Sequence, residues 1–115
     1  MVDRGLVALY LIHHLGISPK MAILLLAFVL GTSRTALLTL DGVPDDAAAR
    51  FAALLDQRAD RVPLQHLLGS VGFRWIELQV GPGVFVPRPE TEVVVGYAID
   101  ALPKDAAPEA VDLCT

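Results

Sequence analysis

Two prolines on either side of one arginine impose the strongest local constraint on this chain of 115 residues. Pro87 and Pro89 each fix their own backbone angle φ and push the residue before them into extended geometry. Val86 and Arg88 are therefore both predicted to be extended, and Arg88 lies on a stiff segment. Because residues 84–86 are all β-forming, the pattern predicts a short strand that runs into a rigid elbow.

The residues after this elbow favour the start of a helix. Thr91 or Glu90 can supply an N-cap side chain, and Glu90 and Glu92 place carboxylates where the helix dipole favours negative charge. Two interpretations of this cluster remain open. Arg88 and its acidic neighbours form a structural pin between hairpin and helix, or the same side chains line the approach to a substrate.

Composition and charge limit the classes of protein to which this chain can belong. Hydrophobic residues make up 54% of it, the mean hydropathy is +0.55 and the formal net charge is −4. These values favour a helical core rich in Leu and Ala, and they provide no general field that attracts nucleic acid. The single cysteine excludes an internal disulfide and a cysteine-cluster metal site, and is compatible with a reducing cytoplasm. His13 and His14 are neighbours that face different sides of a helix, so no metal site is predicted.

The apolar N-terminal third raises the question of a membrane span. Its longest uninterrupted apolar run, Met21 to Leu30, is half of the roughly 20 residues that a spanning helix requires. The N-terminus has both Asp3 and Arg4, and no convincing signal-peptide cleavage site follows. We therefore predict a buried helical hairpin, and a membrane-associated hairpin remains an alternative.

Helix start and stop signals divide the first 69 residues into a predicted helical bundle. Ser18 and Pro19 are typical of an N-cap and a first helical residue, and Gly31 ends the helix predicted over 19–30. This helix is apolar on almost every face, which predicts burial on several sides. The other predicted helices run from Asp3 to Leu15, from Thr32 or Ser33 through Leu38, from Asp45 or Asp46 to about Arg61, with Phe51, Leu54 and Leu55 on its apolar side, and from Pro63 to Gly69.

From Phe73 to Val80 the hydrophobic period changes to two, which indicates a strand. Residues 81–83 are predicted to form a turn and residues 84–86 a returning strand, so the pattern favours a β-hairpin. A lone hairpin is marginal in water and must lie against another part of the protein. Trp75 packs the hairpin onto the bundle in one interpretation and offers a face to a partner protein in the other.

Two more elements are predicted after the elbow. A helix runs to about Leu102, and a linker then leads to a short apolar strand from Ala110 to Leu113. The apolar side of that helix consists of Val93, Val94, Tyr97 and Ala98.

Three segments resemble one known family, the protein-(glutamine-N5) methyltransferases of the HemK/PrmC type. Residues 86–92, VPRPETE, resemble its signature segment. Residues 61–69, RVPLQHLLG, resemble its R-x-P-L-Q-Y-x-x-G segment, with His66 where tyrosine is usual. Residues 111–115 look like the opening of its first methyltransferase strand. The family usually carries acidic residues roughly where Ala22 and Leu24 stand, and residues 1–17 match it poorly.

The resemblance implies a mainly α fold. Residues 1–69 would form a helical bundle for release-factor recognition, and residues 70–88 a connecting β-hairpin. Residues 89–115 would form the first helix and strand of a truncated Rossmann-like α/β methyltransferase domain.

The resemblance also implies an activity for the complete enzyme. Family members transfer a methyl group from S-adenosylmethionine to the glutamine amide nitrogen of the Gly-Gly-Gln loop in bacterial peptide chain release factors. Cys114 and Thr115 align with the start of the cofactor loop. The cofactor glycines and an Asn-Pro-Pro-Tyr catalytic segment would lie beyond Thr115, so no catalytic residue is predicted here. The elbow supplies the candidate substrate or structural residues, Arg88, Glu90, Thr91 and Glu92.

These implications define the expected behaviour of the chain. We expect a cytoplasmic monomer whose partners are release factors, with no direct contact to nucleic acid or membrane. On its own the chain is expected neither to bind S-adenosylmethionine nor to transfer a methyl group, because one strand cannot form a sheet. A glutamine methyltransferase acting on a ribosomal protein is a near neighbour, and a stand-alone helical module that binds protein or nucleic acid is the alternative from another class.

Overall fold

The computed structural model describes residues 16–113. The predicted helix from Asp3 to Leu15 and the candidate cofactor residues Cys114 and Thr115 lie outside this range. The elements within it are, in order, α1 (Pro19–Leu30), a 3-10 helix (Ala36–Thr39), α2 (Asp45–Ala59), α3 (Leu64–Leu68), β1 (Ser70–Phe73), β2 (Ile76–Gln79) and α4 (Pro89–Ala101).

Helix α1 begins and ends where the sequence predicts. The backbone N–H of Met21 donates to Ser18 Oγ at 3.3 Å, and Pro19 occupies the first helical position, whose N–H would have no partner in the helix. Gly31 closes the helix in left-handed geometry, with a φ of 61° that glycine adopts without strain. Most of its faces are at least half-buried, as predicted, although Ile23 and Phe28 are exposed.

The next two helices differ from the prediction at their ends. Ser33 Oγ accepts a hydrogen bond from the N–H of Ala36 at 3.2 Å, but the element that follows is a 3-10 helix whose N-cap residue is Thr35. Helix α2 has Pro44 at its N-cap position without a side-chain cap bond. Asp45 and Asp46 were expected as caps but lie in its first turn, where the helix dipole still favours their charge.

The helices α1, α2 and α3 enclose the hydrophobic core. Leu25 is completely buried, and Phe51 and Leu55 face inward from α2 as predicted, while Leu54 is partly buried against the same cluster. The core residues are Ile17, Ala22, Leu25, Val29, Val43, Ala47, Phe51 and Leu55. Ala22, one of the two positions where acidic residues were expected in the family, therefore lies in the apolar interior.

The hairpin exists, but its turn was predicted in the wrong place. Strands β1 and β2 are antiparallel and pair Phe73 with Ile76, so Arg74 and Trp75 form a two-residue loop inside the segment predicted as one strand. Arg74 has a φ of 53°, the left-handed geometry that such tight turns require. Residues 81–83 form a separate turn, and residues 84–86 form no strand.

The chain after the elbow also differs from the prediction. Arg88 is the N-cap residue of α4, so Glu90 and Thr91 lie in the first turn and do not cap the helix. The expected apolar side of α4 is exposed to solvent. The expected strand over residues 110–113 does not form, because a strand needs a neighbour with which to pair, and in the described part of the chain this segment has none. None of the helices within residues 16–113 is long and apolar enough to cross a membrane.

The end of α2 is closed by an arginine in a conformation that favours glycine. Arg61 has a φ of 68°, and its N–H donates to the carbonyl of Arg58 at 3.0 Å. The N–H of Val62 donates to the carbonyl of Gln57 at 3.1 Å, which completes a Schellman motif. Gly31 fills the equivalent position at the end of α1, so the two helix ends differ mainly in backbone strain.

We expect Arg61→Gly to raise the free energy of unfolding by about 0.5–1 kcal/mol, because glycine removes the strain of a side chain in left-handed geometry. The matched change Gly31→Ala at φ 61° is expected to lower it by about 1 kcal/mol. Urea denaturation followed by helical circular dichroism measures both. A loss of stability in Arg61→Gly would show that the exposed arginine side chain itself stabilises the helix end.

Candidate functional site

The elbow segment, residues 83–92, has the backbone that its prolines predict. Arg88 is extended, with φ −85° and ψ 146°, and Pro89 is the first residue of α4. Arg88, Glu90 and Thr91 are exposed, whereas Glu92 is half-buried. The positive end of the α4 dipole therefore carries two carboxylates, Glu90 and Glu92, beside an arginine that is free to meet a ligand or another part of the protein.

The side chain of Arg88 forms no bond to the hairpin within the described residues. Within residues 16–113 its side chain makes no hydrogen bond or ion pair, and only its carbonyl oxygen is used, as the acceptor for the N–H of Thr91 at 3.0 Å. Both interpretations of Arg88, as a structural pin and as a residue that lines a substrate approach, therefore stay predictions.

A different arginine joins the hairpin to α4. Arg74, in the two-residue loop, donates from Nη1 to the carbonyl oxygen of Glu92 at 3.1 Å. Its guanidinium carbon lies 4.3 Å from the centroid of the Trp75 ring, a cation–π contact. Sequence analysis missed Arg74. The available signal was Gly96, a glycine inside a helix and one turn after Glu92.

The elbow is also joined to the helical core. His66 Nε2 and the carbonyl oxygen of Val84 are 2.9 Å apart, which ties α3 to the segment before Pro87. Just after the end of β2, the N–H of Val80 donates to the carbonyl of Gly69 at 3.0 Å, which adds a second bond between this part of the chain and the end of α3. The hydrogen bond of His66 therefore joins the 61–69 segment to a residue two positions before the 86–92 segment.

Large apolar side chains remain exposed around the hairpin and the elbow. Trp75 is 85% exposed and Phe85 77%, so Trp75 does not pack the hairpin onto the bundle. The other exposed apolar residues of this surface are Ile76, Val84, Val93, Val94 and Tyr97. Concentrated apolar exposure of this kind is typical of a surface that another protein part covers.

The described residues provide no metal centre. Within residues 16–113, no three His, Cys, Asp or Glu side chains lie close enough together to hold a metal ion. The described range also contains no parallel sheet with a glycine-rich turn at a strand end, the arrangement that binds adenosine cofactors. What the geometry offers is a rigid, charged elbow beside an exposed apolar surface.

Comparison with known proteins identifies the family. A family described as "PrmC N-terminal domain" matches residues 8–69, more than half of the chain, and the chain belongs to this family. The match begins at residue 8, so it includes part of the N-terminal segment that sequence analysis expected to match poorly. The suspected membership in the HemK/PrmC family is therefore confirmed.

Several curated relatives carry the name "Release factor glutamine methyltransferase". The relative from Streptomyces coelicolor is 54% identical over 94 residues, which cover 79% of this chain and 32% of the relative. The relative from Mycolicibacterium smegmatis is 48% identical over 93 residues, covering 80% and 32%. The relative from Burkholderia pseudomallei is 45% identical over 94 residues, covering 80% and 33%. The chain thus spans about a third of the length of these relatives.

We expect His66→Phe to loosen the elbow, because it removes the hydrogen bond to the carbonyl of Val84 while keeping an aromatic ring on α3. Loss of one such bond corresponds to roughly 1 kcal/mol, or about a fivefold change in an equilibrium. Amide exchange measured across residues 81–88 should therefore become about fivefold faster.

Gln65→Ala is the matched control, since the side chain of Gln65 makes no hydrogen bond within the described residues. Exchange over residues 81–88 should stay unchanged in this variant. Equal acceleration in both variants would contradict a specific role of His66.

Proposed function

We propose that this chain is the substrate-recognition end of an S-adenosylmethionine-dependent methyltransferase that methylates a glutamine side chain in bacterial peptide chain release factors. The observation that carries this proposal is the 42–54% identity to relatives named as release factor glutamine methyltransferases. The family match over residues 8–69 supports the same assignment for the helical part of the chain.

The roles proposed for the different parts of the chain agree with where its side chains are buried. Residues 1–69 form the recognition unit, and the described part of this unit has its own apolar core around Leu25. Residues 70–88 connect it to the catalytic part, which begins at residue 89. Helix α4 has no buried residue, and Val111 and Leu113 are 81% and 79% exposed. In the complete enzyme, the remainder of a Rossmann-like domain would cover α4 and pair with residues 110–113.

The reaction needs positioning more than chemical activation. The lone pair of an amide nitrogen is delocalised into the carbonyl group, so the glutamine is a poor nucleophile. S-adenosylmethionine supplies the methyl group when it is bound. The enzyme must hold the amide nitrogen in line with that methyl group, which is a contribution of proximity and orientation. In the proposal, Cys114 and Thr115 contribute mainly backbone contacts to the cofactor loop, and the catalytic residues lie outside these 115 residues.

The elbow residues are proposed to face the reaction side of the complete enzyme. Arg88 and Glu90 are exposed on a backbone that two prolines and a helix start hold in one direction. Since Arg88 makes no side-chain bond within residues 16–113, its charge is available for the release factor or for the catalytic part. Thr91 is exposed beside them in the first turn of α4.

One observation favours a second function, a stand-alone module that binds another protein. The exposed side chains of Trp75 and Phe85 would suit a partner protein as well as the rest of an enzyme. The net charge of −4 argues against nucleic acid as that partner.

A chimaera tests the proposed function. Residues 1–115 would replace the corresponding first third of the Streptomyces coelicolor relative, which is 54% identical to this chain over the shared region. We expect the chimaera to methylate an intact release factor, because its recognition end and its catalytic part are then both present. The measurement is transfer of labelled methyl groups from S-adenosylmethionine.

The control is the same relative without its first third. The chimaera should exceed this truncated control by at least about tenfold in kcat/KM, the effect of roughly 1.4 kcal/mol of transition-state binding. A chimaera no more active than the truncated control would contradict the proposal. A chimaera that binds release factor without methylating it would favour the stand-alone binding module.

A further inference from the structure

Arg74 is an unfavourable residue for the place that it occupies. It has a φ of 53° at the first position of a two-residue hairpin loop, where glycine, asparagine or aspartate is usual. Its Nε atom is buried and has no hydrogen-bond partner within the described residues. A buried donor without a partner is destabilising, as is a long side chain in left-handed geometry. Two unfavourable free-energy contributions at one residue indicate that the side chain of Arg74 has a role outside the turn.

The guanidinium group of Arg74 contacts α4. Nη1 of Arg74 donates to the carbonyl oxygen of Glu92, which lies in the first turn of the helix. A Cβ atom added to Gly96 would stand 2.7 Å from the same Nη1 and 3.8 Å from the guanidinium carbon. The missing side chain of Gly96 therefore makes the room in which the guanidinium lies. We call this arrangement of Arg74, Glu92 and Gly96 the arginine seat.

The arginine seat is the specific contact between α4 and the hairpin. No residue of α4 is buried, so apolar packing does not fix the direction of this helix. Within residues 16–113, the bond from Arg74 to Glu92 is the hydrogen bond that joins α4 to the hairpin. The Trp75 ring, with its centroid 4.3 Å from the guanidinium carbon, adds a cation–π contact to the same charged group.

We infer that Arg74 is a positioning residue that sets the orientation of α4 against the hairpin and, through it, against the helical bundle. Because the catalytic part is proposed to begin at α4, the arginine seat would orient the catalytic part relative to the recognition unit. This consequence for activity rests on the proposed function, whereas the effect on α4 does not. The residue touches neither cofactor nor reacting atoms in this account and acts through α4.

Amide exchange in the 115-residue chain tests the seat directly. Arg74→Ala should accelerate exchange over α4 by about tenfold, the effect of losing a charge-assisted hydrogen bond. Gly96→Ala should not protect the helix when Arg74 is present, although alanine is the better helix former, because its Cβ displaces the guanidinium from Glu92. In the Arg74→Ala background, Gly96→Ala should slow exchange over α4. Equal effects of Gly96→Ala in both backgrounds, or unchanged exchange in Arg74→Ala, would overturn the inference.

Methylation by the chimaera tests the functional consequence with two substrates. Arg74→Ala should lower kcat/KM about tenfold for an intact release factor and leave it unchanged for a short peptide that carries only the Gly-Gly-Gln loop. Arg74→Lys should restore part of the loss, since an ammonium group can still donate to Glu92. Lys104→Ala, at an exposed lysine of the linker after α4 without a side-chain bond within residues 16–113, is the control and should be neutral. Equal losses for the two substrates would overturn the positioning role. A chimaera that is inactive with Arg74 intact would refute the proposed function alone, because the amide-exchange test of Arg74 does not depend on methylation.

Discussion

The apolar contact between α1 and α2 is the interaction on which the rest of the structure depends. Leu25 is fully buried in it, and Val43 and Phe51 are nearly so. Burying side chains of this size contributes about 1.5–3 kcal/mol each, compared with about 0.5–1.5 kcal/mol for a typical hydrogen bond between neutral groups. The leucines of helix α3 pack against the same cluster. Because β1 follows shortly after the end of α3, the position of α3 determines where the hairpin begins.

Outside this core, hydrogen bonds hold the hairpin, the elbow and α4 in place. His66 reaches the carbonyl of Val84, Val80 pairs with Gly69, and Arg74 reaches Glu92. Each of these bonds contributes about 1 kcal/mol, so the hairpin and α4 form an arm that is directed by few contacts. This distribution suits the proposed function, in which a stable recognition unit carries a connecting arm onto which a much larger catalytic part is built. The exposed apolar surface of the arm is then the surface that this part covers.

The sequence alone was enough to predict the elements whose start and stop residues agree with the way those elements pack. Ser18, Pro19 and Gly31 fixed the ends of α1, and the prolines fixed the extended backbone at Arg88. The hairpin turn was misplaced because its loop contains Arg74, whose left-handed geometry has no signal in the amino-acid pattern. The arginine seat was missed for a related reason, since it joins residues 18 positions apart that neither period nor motif connects. The strand expected over residues 110–113 depends on neighbours in the sheet, which local propensity does not supply.

If the arginine seat holds α4, this helix points in one fixed direction from the helical core, and the distribution of distances between the two tests this most directly. Spin labels can be attached through Ala53→Cys on the exposed side of α2 and Asp100→Cys near the end of α4, with Cys114→Ser to remove the native thiol. Electron–electron double resonance then reports the separation of the two labels. We expect one narrow distribution that broadens when Arg74→Ala is added. A broad distribution with Arg74 intact would contradict a fixed direction of α4.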